Sequence, residues 1–200
     1  MADKYLDVAY TDSVRAAQAH YYGAAQAVPP AADHDAFGDA ETAFVHARDS
    51  FYLGTVGETG WPYIQHRGGK PGFLRVVDPR TLGFADYRGN RQLLSTGNLA
   101  KNDRAALFLM DYPGRSRLKI MGRVRVLDAR EHPAEVERLA EPAVRRLAER
   151  LFFIDVVSFD WNCPKYITPR YGIEEVTQLT ESLKRRIAEL EALVAGKETP

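Results

Sequence analysis

Two short runs of the chain gather basic and amide side chains of the kind that hold a phosphate. The first is Gln65-His66-Arg67 followed by Gly68-Gly69-Lys70. Arginine and lysine at the end of a strand suit an anion, the former as a planar fork. The two glycines let a ligand approach the backbone closely. A solvated edge and turn would use the same residues, and the pattern alone does not choose. The second run is Asp86-Tyr87-Arg88-Gly89-Asn90-Arg91. It leads into an expected short helix, Arg91 to Leu94, with Asn90 at the cap position. Amides at a helix N-terminus plus arginine make an anion site, an ordinary Asn-capped turn after Gly89 is the alternative, and spacing alone does not decide between them.

Two further groups are chemically rich. Arg117, Lys119, Arg123 and Arg125 share one face of an expected strand. Charged strand faces are usually just wet, which is the reading for Arg123 and Arg125 and holds less for Arg117 and Lys119. Trp161-Asn162-Cys163-Pro164-Lys165 is irregular. Trp161 suits stacking on a ring or burial in a core. Cys163 reads as a buried structural thiol, since no setting that would lower its pKa is visible. The five histidines form no pair with metal-ligand spacing. No dinucleotide fingerprint, P-loop or serine nucleophile elbow occurs.

The elements that must position these residues follow from pattern. Residues 1–36 are an expected N-terminal helical arm, with Asp12 or Ser13 capping Val14 to Tyr22 and Gly23 ending it. Asp39 is expected to cap a second helix running to about Arg48. Strands follow at Phe51–Val56, Trp61–Arg67, Phe73–Val77, Leu82–Ala85, Ala105–Tyr112 and Arg117–Val126. In the last of these, Leu118, Ile120, Gly122, Val124 and Val126 alternate with the charged face. A helix starts at His132-Pro133 and is divided by Pro142. Leu151–Ser158 is a further strand. Val176, Leu179, Leu183, Ile187, Leu190 and Val194 step by threes and fours, which predicts an amphipathic C-terminal helix over 171–200. Its stripe must bury on the barrel or on a partner chain.

With 200 residues, the chain can bury roughly 70% of its unfolded surface and needs no disulfide or metal. Lysine plus arginine equal aspartate plus glutamate at 27 each. Bulk charge therefore gives no argument for nucleic acid or an anionic membrane. A single cysteine points to a reducing compartment. The N-terminus lacks a basic, apolar leader, and no stretch is long enough to span a bilayer. A soluble cytoplasmic protein is expected.

Taken in order, Phe51–Val56, Trp61–Gly69, Phe84–Arg91, Asn98-Leu99, Asn102–Leu107 and Lys119–Val124 resemble the pyridoxamine 5′-phosphate oxidase-like family of flavin-binding split barrels. The resemblance implies a mainly β fold with flanking helices: a six-stranded antiparallel split barrel over 37–170. It also implies a homodimer with FMN at the interface, FAD or a deazaflavin being the alternative cofactors. On that reading Gln65, His66, Arg67 and Lys70 lie beside the flavin and its phosphate. Phe84, Ala85 and Asp86 run along the ring and ribityl chain, and Gly89, Asn90 and Arg91 hold the phosphate. Arg117 and Lys119 reach the flavin, often from the second subunit, and Trp161, Asn162 and Cys163 lie near the ring or the substrate opening. Gln65 stands where the vitamin B6 phosphate oxidases carry arginine, and Arg170 is followed by a whole helix. Both departures point away from vitamin B6 phosphate as substrate. The expected activity is an FMN-dependent oxidoreductase taking a small-molecule substrate or a nicotinamide electron donor. The alternatives are a non-catalytic flavin- or heme-binding carrier or sensor, and a deazaflavin-dependent reductase.

Overall fold

The computed structural model describes residues 3–28, 30–161 and 164–195. The chain begins with two helices, α1 (Asp3–Ala9) and α2 (Asp12–Tyr22). The sequence predicts only the second. Helix α1 is too short to stand on propensity, and it forms where it packs on the last strand of the sheet. Thr11, rather than Asp12 or Ser13, caps α2: its Oγ1 accepts the Val14 N–H at 3.4 Å. Gly23 ends α2 with φ 82°, as expected of a left-handed cap. Helix α3 (Asp39–His46) starts after Gly38, not at a capping Asp39. Glu41 Oε2 accepts the Gly38 N–H at 3.0 Å and closes the first turn.

Seven strands follow: β1 (Ser50–Val56), β2 (Pro62–Gly68), β3 (Arg75–Asp78), β4 (Thr81–Tyr87), β5 (Arg104–Asp111), β6 (Ser116–Asp128) and β7 (Ala148–Trp161). All described pairings are antiparallel, in the order β2-β1-β5-β6-β7-β4-β3. The resemblance implies six strands, and the described sheet has seven. The turn between β1 and β2 depends on Gly60 at φ 83°. Helix α4 (Leu94–Lys101) links β4 to β5, and α5 (Pro133–Leu139), with proline at its start, links β6 to β7. Helix α5 stops at Leu139, earlier than Pro142 requires, and a 3-10 turn at Arg145–Leu147 leads into β7.

The sheet curls around one core. Phe51 and Leu53 of β1, Leu107 and Leu109 of β5, Leu118 and Ile120 of β6, and Phe152 and Ile154 of β7 meet Leu82 and Phe84 of β4. Each such buried side chain contributes on the order of 1.5–3 kcal/mol. The two ends of the curled sheet meet through side chains, not backbone pairing. Phe51 meets Phe84 edge-on at 5.5 Å, and Arg67 of β2 reaches Asp86 of β4. Leu151 and Phe153, on the other face of β7, pack with Leu139 of α5. Burial on both faces explains why Leu151, Phe152, Phe153 and Ile154 of β7 form an unbroken apolar run rather than an alternating one.

The β6 alternation is as expected, with Leu118, Ile120, Gly122 and Val124 buried. The β6–β7 register slips between Met121 and Gly122, so Val157 has no cross-strand partner. Its carbonyl instead accepts the Asp35 N–H at 3.1 Å, tying the segment before α3 to the sheet. Helix α6 (Ile173–Ala195) closes the described chain and joins neither apolar cluster. No described helix is long and apolar enough to cross a membrane.

Candidate functional site

The two phosphate-type runs come together at the seam between β2 and β4. The two-residue repeat of β2 turns Tyr63, Gln65 and Arg67 inward and leaves Ile64 and His66 outward. Phe84 and Asp86 are buried on β4. Two cavities adjoin there, of about 490 and about 200 Å³. The larger lies in the usual range for a small-molecule site, roughly 300–1,000 Å³. Arg67, Asp86 and Tyr87 border both.

The larger cavity takes in His66, Lys70, Phe84 and Ala85 of the predicted set, and the smaller takes in Gln65, Gly89, Asn90 and Arg91. His66 belongs to this wall through its place on β2, while its ring stands edge-on to Tyr52 at 5.7 Å on the strand's other face. Lys70 is held across the opening by Glu141, Nζ to Oε1 at 2.5 Å, and that contact raises its pKa.

Asp86 organises the centre. It takes Arg67 on one oxygen and Arg150 Nε on the other, the latter at 2.7 Å. Asp86 and Arg150 are direct cross-strand partners of β4 and β7. The Arg67 guanidinium lies over Phe84 and Phe152, 5.7 and 5.2 Å from the ring centres. Its Nε is buried and has no hydrogen-bond partner among the described residues. A buried donor without an acceptor is costly, and a bound anion would satisfy it.

The loop after β4 corrects one expectation. Asn90 caps no helix: its Oδ1 accepts the Gln92 N–H at 3.1 Å in an Asx turn. The helix begins at Leu94, later than predicted. Arg91 at φ 63° and Leu93 at φ 54° hold left-handed backbone that neither residue prefers. Such strain in a loop bordering a cavity is the kind stored at ligand sites. The helix start still borders the smaller cavity, through Leu94, Ser95 and Thr96. Ser95 Oγ donates to Gln65 Oε1 at 2.7 Å, pinning α4 to β2. Asn98 Nδ2 donates to Thr55 Oγ1 at 3.0 Å and fixes the same helix on β1.

The remaining predicted residues lie elsewhere in the single chain. Arg117 is near Phe108, 5.8 Å from its ring centre, and borders a separate cavity of about 250 Å³ with Tyr112 and Arg170. Lys119 pairs with Asp160 at 2.9 Å and sits over the Tyr5 ring. Trp161 stands edge-on to Phe44 at 4.7 Å and donates to Glu41 Oε1 at 2.7 Å. Asn162 and Cys163 lie outside the described residues. Arg123 pairs with Asp103 and Arg125 with Asp155, the exposed pairs expected of a wet face. Sequence reasoning misses Arg75, Ser95, Glu141 and Arg150. Of these, Arg150 alone leaves a signal, a charge set at the head of an apolar strand.

The chemistry of this donor set fits a phosphate-bearing ligand with a planar ring. Five cations (Arg67, Lys70, Arg75, Arg91 and Arg150) face two carboxylates, Asp86 and Glu141, around the joined cavities. Phe73, Phe84 and Leu139 supply apolar wall. No cluster of metal-binding side chains occurs among the described residues.

Comparison with solved structures at a TM-score of 0.50 supports the fold. HupZ of Group A Streptococcus superposes with a TM-score of 0.50 at 14% identity, over 68% of this chain and 100% of that one. A histidine-to-alanine variant of the same streptococcal protein gives 0.50 at 13% identity, over 62% and 98%. A putative pyridoxamine 5′-phosphate oxidase from Lactobacillus delbrueckii gives 0.49 at 16% identity, over 62% and 93%. No curated protein matches the chain. Residues 37–154, most of the chain and nearly all of the barrel, match the pyridoxamine 5′-phosphate oxidase family, and the chain belongs to that family.

Proposed function

We propose that the chain binds FMN in the cleft between β2, β4 and the start of α4, and that it works as an FMN-dependent oxidoreductase. The observation that carries this is Arg67, a largely buried guanidinium at the meeting point of two cavities with its Nε unsatisfied. A phosphate beside Arg67 and Arg91 would accept hydrogen bonds that no described group accepts. Ser95 fixes the Gln65 oxygen, which leaves the Gln65 amide nitrogen to donate to a ligand. Phe84 and Leu139 offer an apolar flank to the cavity. Family membership supports FMN over other ring-bearing phosphates. When bound, the flavin supplies the hydride and electron transfer, and the protein supplies position and charge.

In the same reading the working unit is a homodimer. Arg117, Lys119 and Trp161, which lie away from the cleft in one chain, would then serve the flavin of the other. The electron donor is a nicotinamide or a small reduced substrate.

The test is a visible absorption spectrum of freshly purified protein with mass spectrometry of the released chromophore. A yellow protein releasing FMN is expected. A colourless protein that takes up neither FMN, FAD nor a deazaflavin overturns the reading. Arg67→Ala with Arg91→Ala removes two charge-assisted contacts of roughly 1.5–3 kcal/mol each. Flavin affinity should then fall by at least about a hundredfold while thermal unfolding stays cooperative. Undiminished flavin content sinks the phosphate assignment. Anaerobic bleaching of the bound flavin by a nicotinamide, and its reoxidation by a substrate, separates an oxidoreductase from a carrier.

A further inference from the structure

Helix α6 is the longest described helix, and its apolar stripe is exposed along its whole length. It spans 23 residues, about 35 Å at 1.5 Å per residue. Leu183 is 63% exposed, Ile187 55% and Leu190 46%. An apolar stripe of this length is unusual on a monomer's surface.

The stripe has a finer grain than amphipathicity. Ile173, Thr180, Ile187 and Val194 recur every seven residues, and so do Val176, Leu183 and Leu190. These are the two core positions of a heptad. The first is β-branched throughout, and leucine fills two of three places in the second. That combination favours two parallel strands over higher oligomers. Thr180, the polar member, donates its hydroxyl to the Val176 carbonyl at 2.9 Å, so it brings no unpaired group into a seam.

The flanking charges choose the direction. In a parallel in-register pair, Arg186 at the last heptad position faces Glu191 of the partner subunit, at the fifth position of the next heptad. The antiparallel arrangement with full overlap sets Lys184 against its own copy, and Arg186 against its own copy. Like charges so placed disfavour it.

We infer that α6 pairs with α6 of a second copy of this chain as a parallel two-stranded coiled coil. The pairing is independent of the flavin reading, since α6 borders neither of the two joined cavities. It places a two-fold axis along the helices, as a closed dimer requires.

The test uses the full chain with Leu190→Cys or Leu183→Cys, oxidised mildly in dilute solution. Parallel pairing sets each new thiol beside its own copy. Covalent dimer linked 190–190 or 183–183, mapped by mass spectrometry, should exceed by at least about tenfold any formed through Cys163 in the unsubstituted chain, because pairing raises the local thiol concentration to the millimolar range. Adding Ile187→Asp to Leu190→Cys should abolish the excess. If that addition leaves cross-linking unchanged, the seam is wrong. Cross-links found only between Leu183→Cys and Ile187→Cys chains would show antiparallel pairing and overturn the proposal. Absence of any α6 cross-link would mean that the stripe is covered by the barrel, a membrane or another protein, and would overturn it as well.

Discussion

Among single residues, Asp86 ties the candidate site to the fold. It neutralises two arginines whose side chains are only 14% and 17% exposed. Removing one partner of a buried ionic cluster costs far more than the cluster contributes, since an uncompensated charge is left behind. Asp86→Ala should therefore lower stability by about 3 kcal/mol, read as a shifted urea midpoint at unchanged slope. The loss should shrink when FMN is added, because its phosphate would take over part of the carboxylate's role beside Arg67. A midpoint shift that flavin leaves untouched would place Asp86 in the fold alone. Arg67 and Asp86 are both legible in sequence as site residues. Their bond to each other is not, because they are 19 positions apart on strands that do not pair. Arg150 escapes sequence reasoning for a related reason: only the β4–β7 register places it opposite Asp86.

At the scale of elements, α3 is fastened to the end of β7 by Glu41. One of its oxygens accepts the Trp161 indole N–H and the other the Gly38 amide. Burial works to raise the Glu41 pKa, but these two hydrogen bonds, together with the residue's own backbone N–H, outweigh it and hold the carboxyl below its usual value. A carboxylate with a depressed folded pKa contributes stability above its unfolded value, and loses it as pH falls through the folded one. In a Trp61→Phe background, Trp161 fluorescence should hold steady from neutral pH into the ordinary carboxylate range and change only below it. Glu41→Gln should flatten that step. A step at the usual carboxylate midpoint, or one that survives the substitution, would detach Glu41 from Trp161. Strands and helices are largely legible here because alternation and capping residues are local signals. Boundaries set by tertiary contact are not. Helix α1 forms against β7, and α4 waits for Leu94 because Asn90 spends its side chain on an Asx turn. The fused core of the sheet is recognisable only through family resemblance, since no periodicity announces that β2 and β4 will face each other.

On the scale of the whole molecule, the chain divides into a barrel that closes on its own side chains and a helix that joins neither of its cores. Every buried apolar residue of both core clusters lies before α6. All the large apolar residues of α6 are exposed. Removing α6 should therefore leave the barrel's cooperative unfolding and its flavin content intact. A chain ending after Gly172 is the direct comparison. Its thermal midpoint should stay within a few degrees of the full chain, corresponding to less than about 1 kcal/mol. Its sedimentation should lose whatever association α6 provides. If the barrel dimerises through its sheet as the flavin reading requires, the truncated chain remains a yellow dimer and loses only cross-linking at the C-terminal end. A truncated chain that is monomeric and colourless would instead make α6 the sole contact and overturn the barrel dimer of the flavin reading. A truncated chain that melts far lower, or precipitates, would mean that α6 shields barrel surface after all. The coiled-coil seam and the independence of the barrel would then both have to be given up.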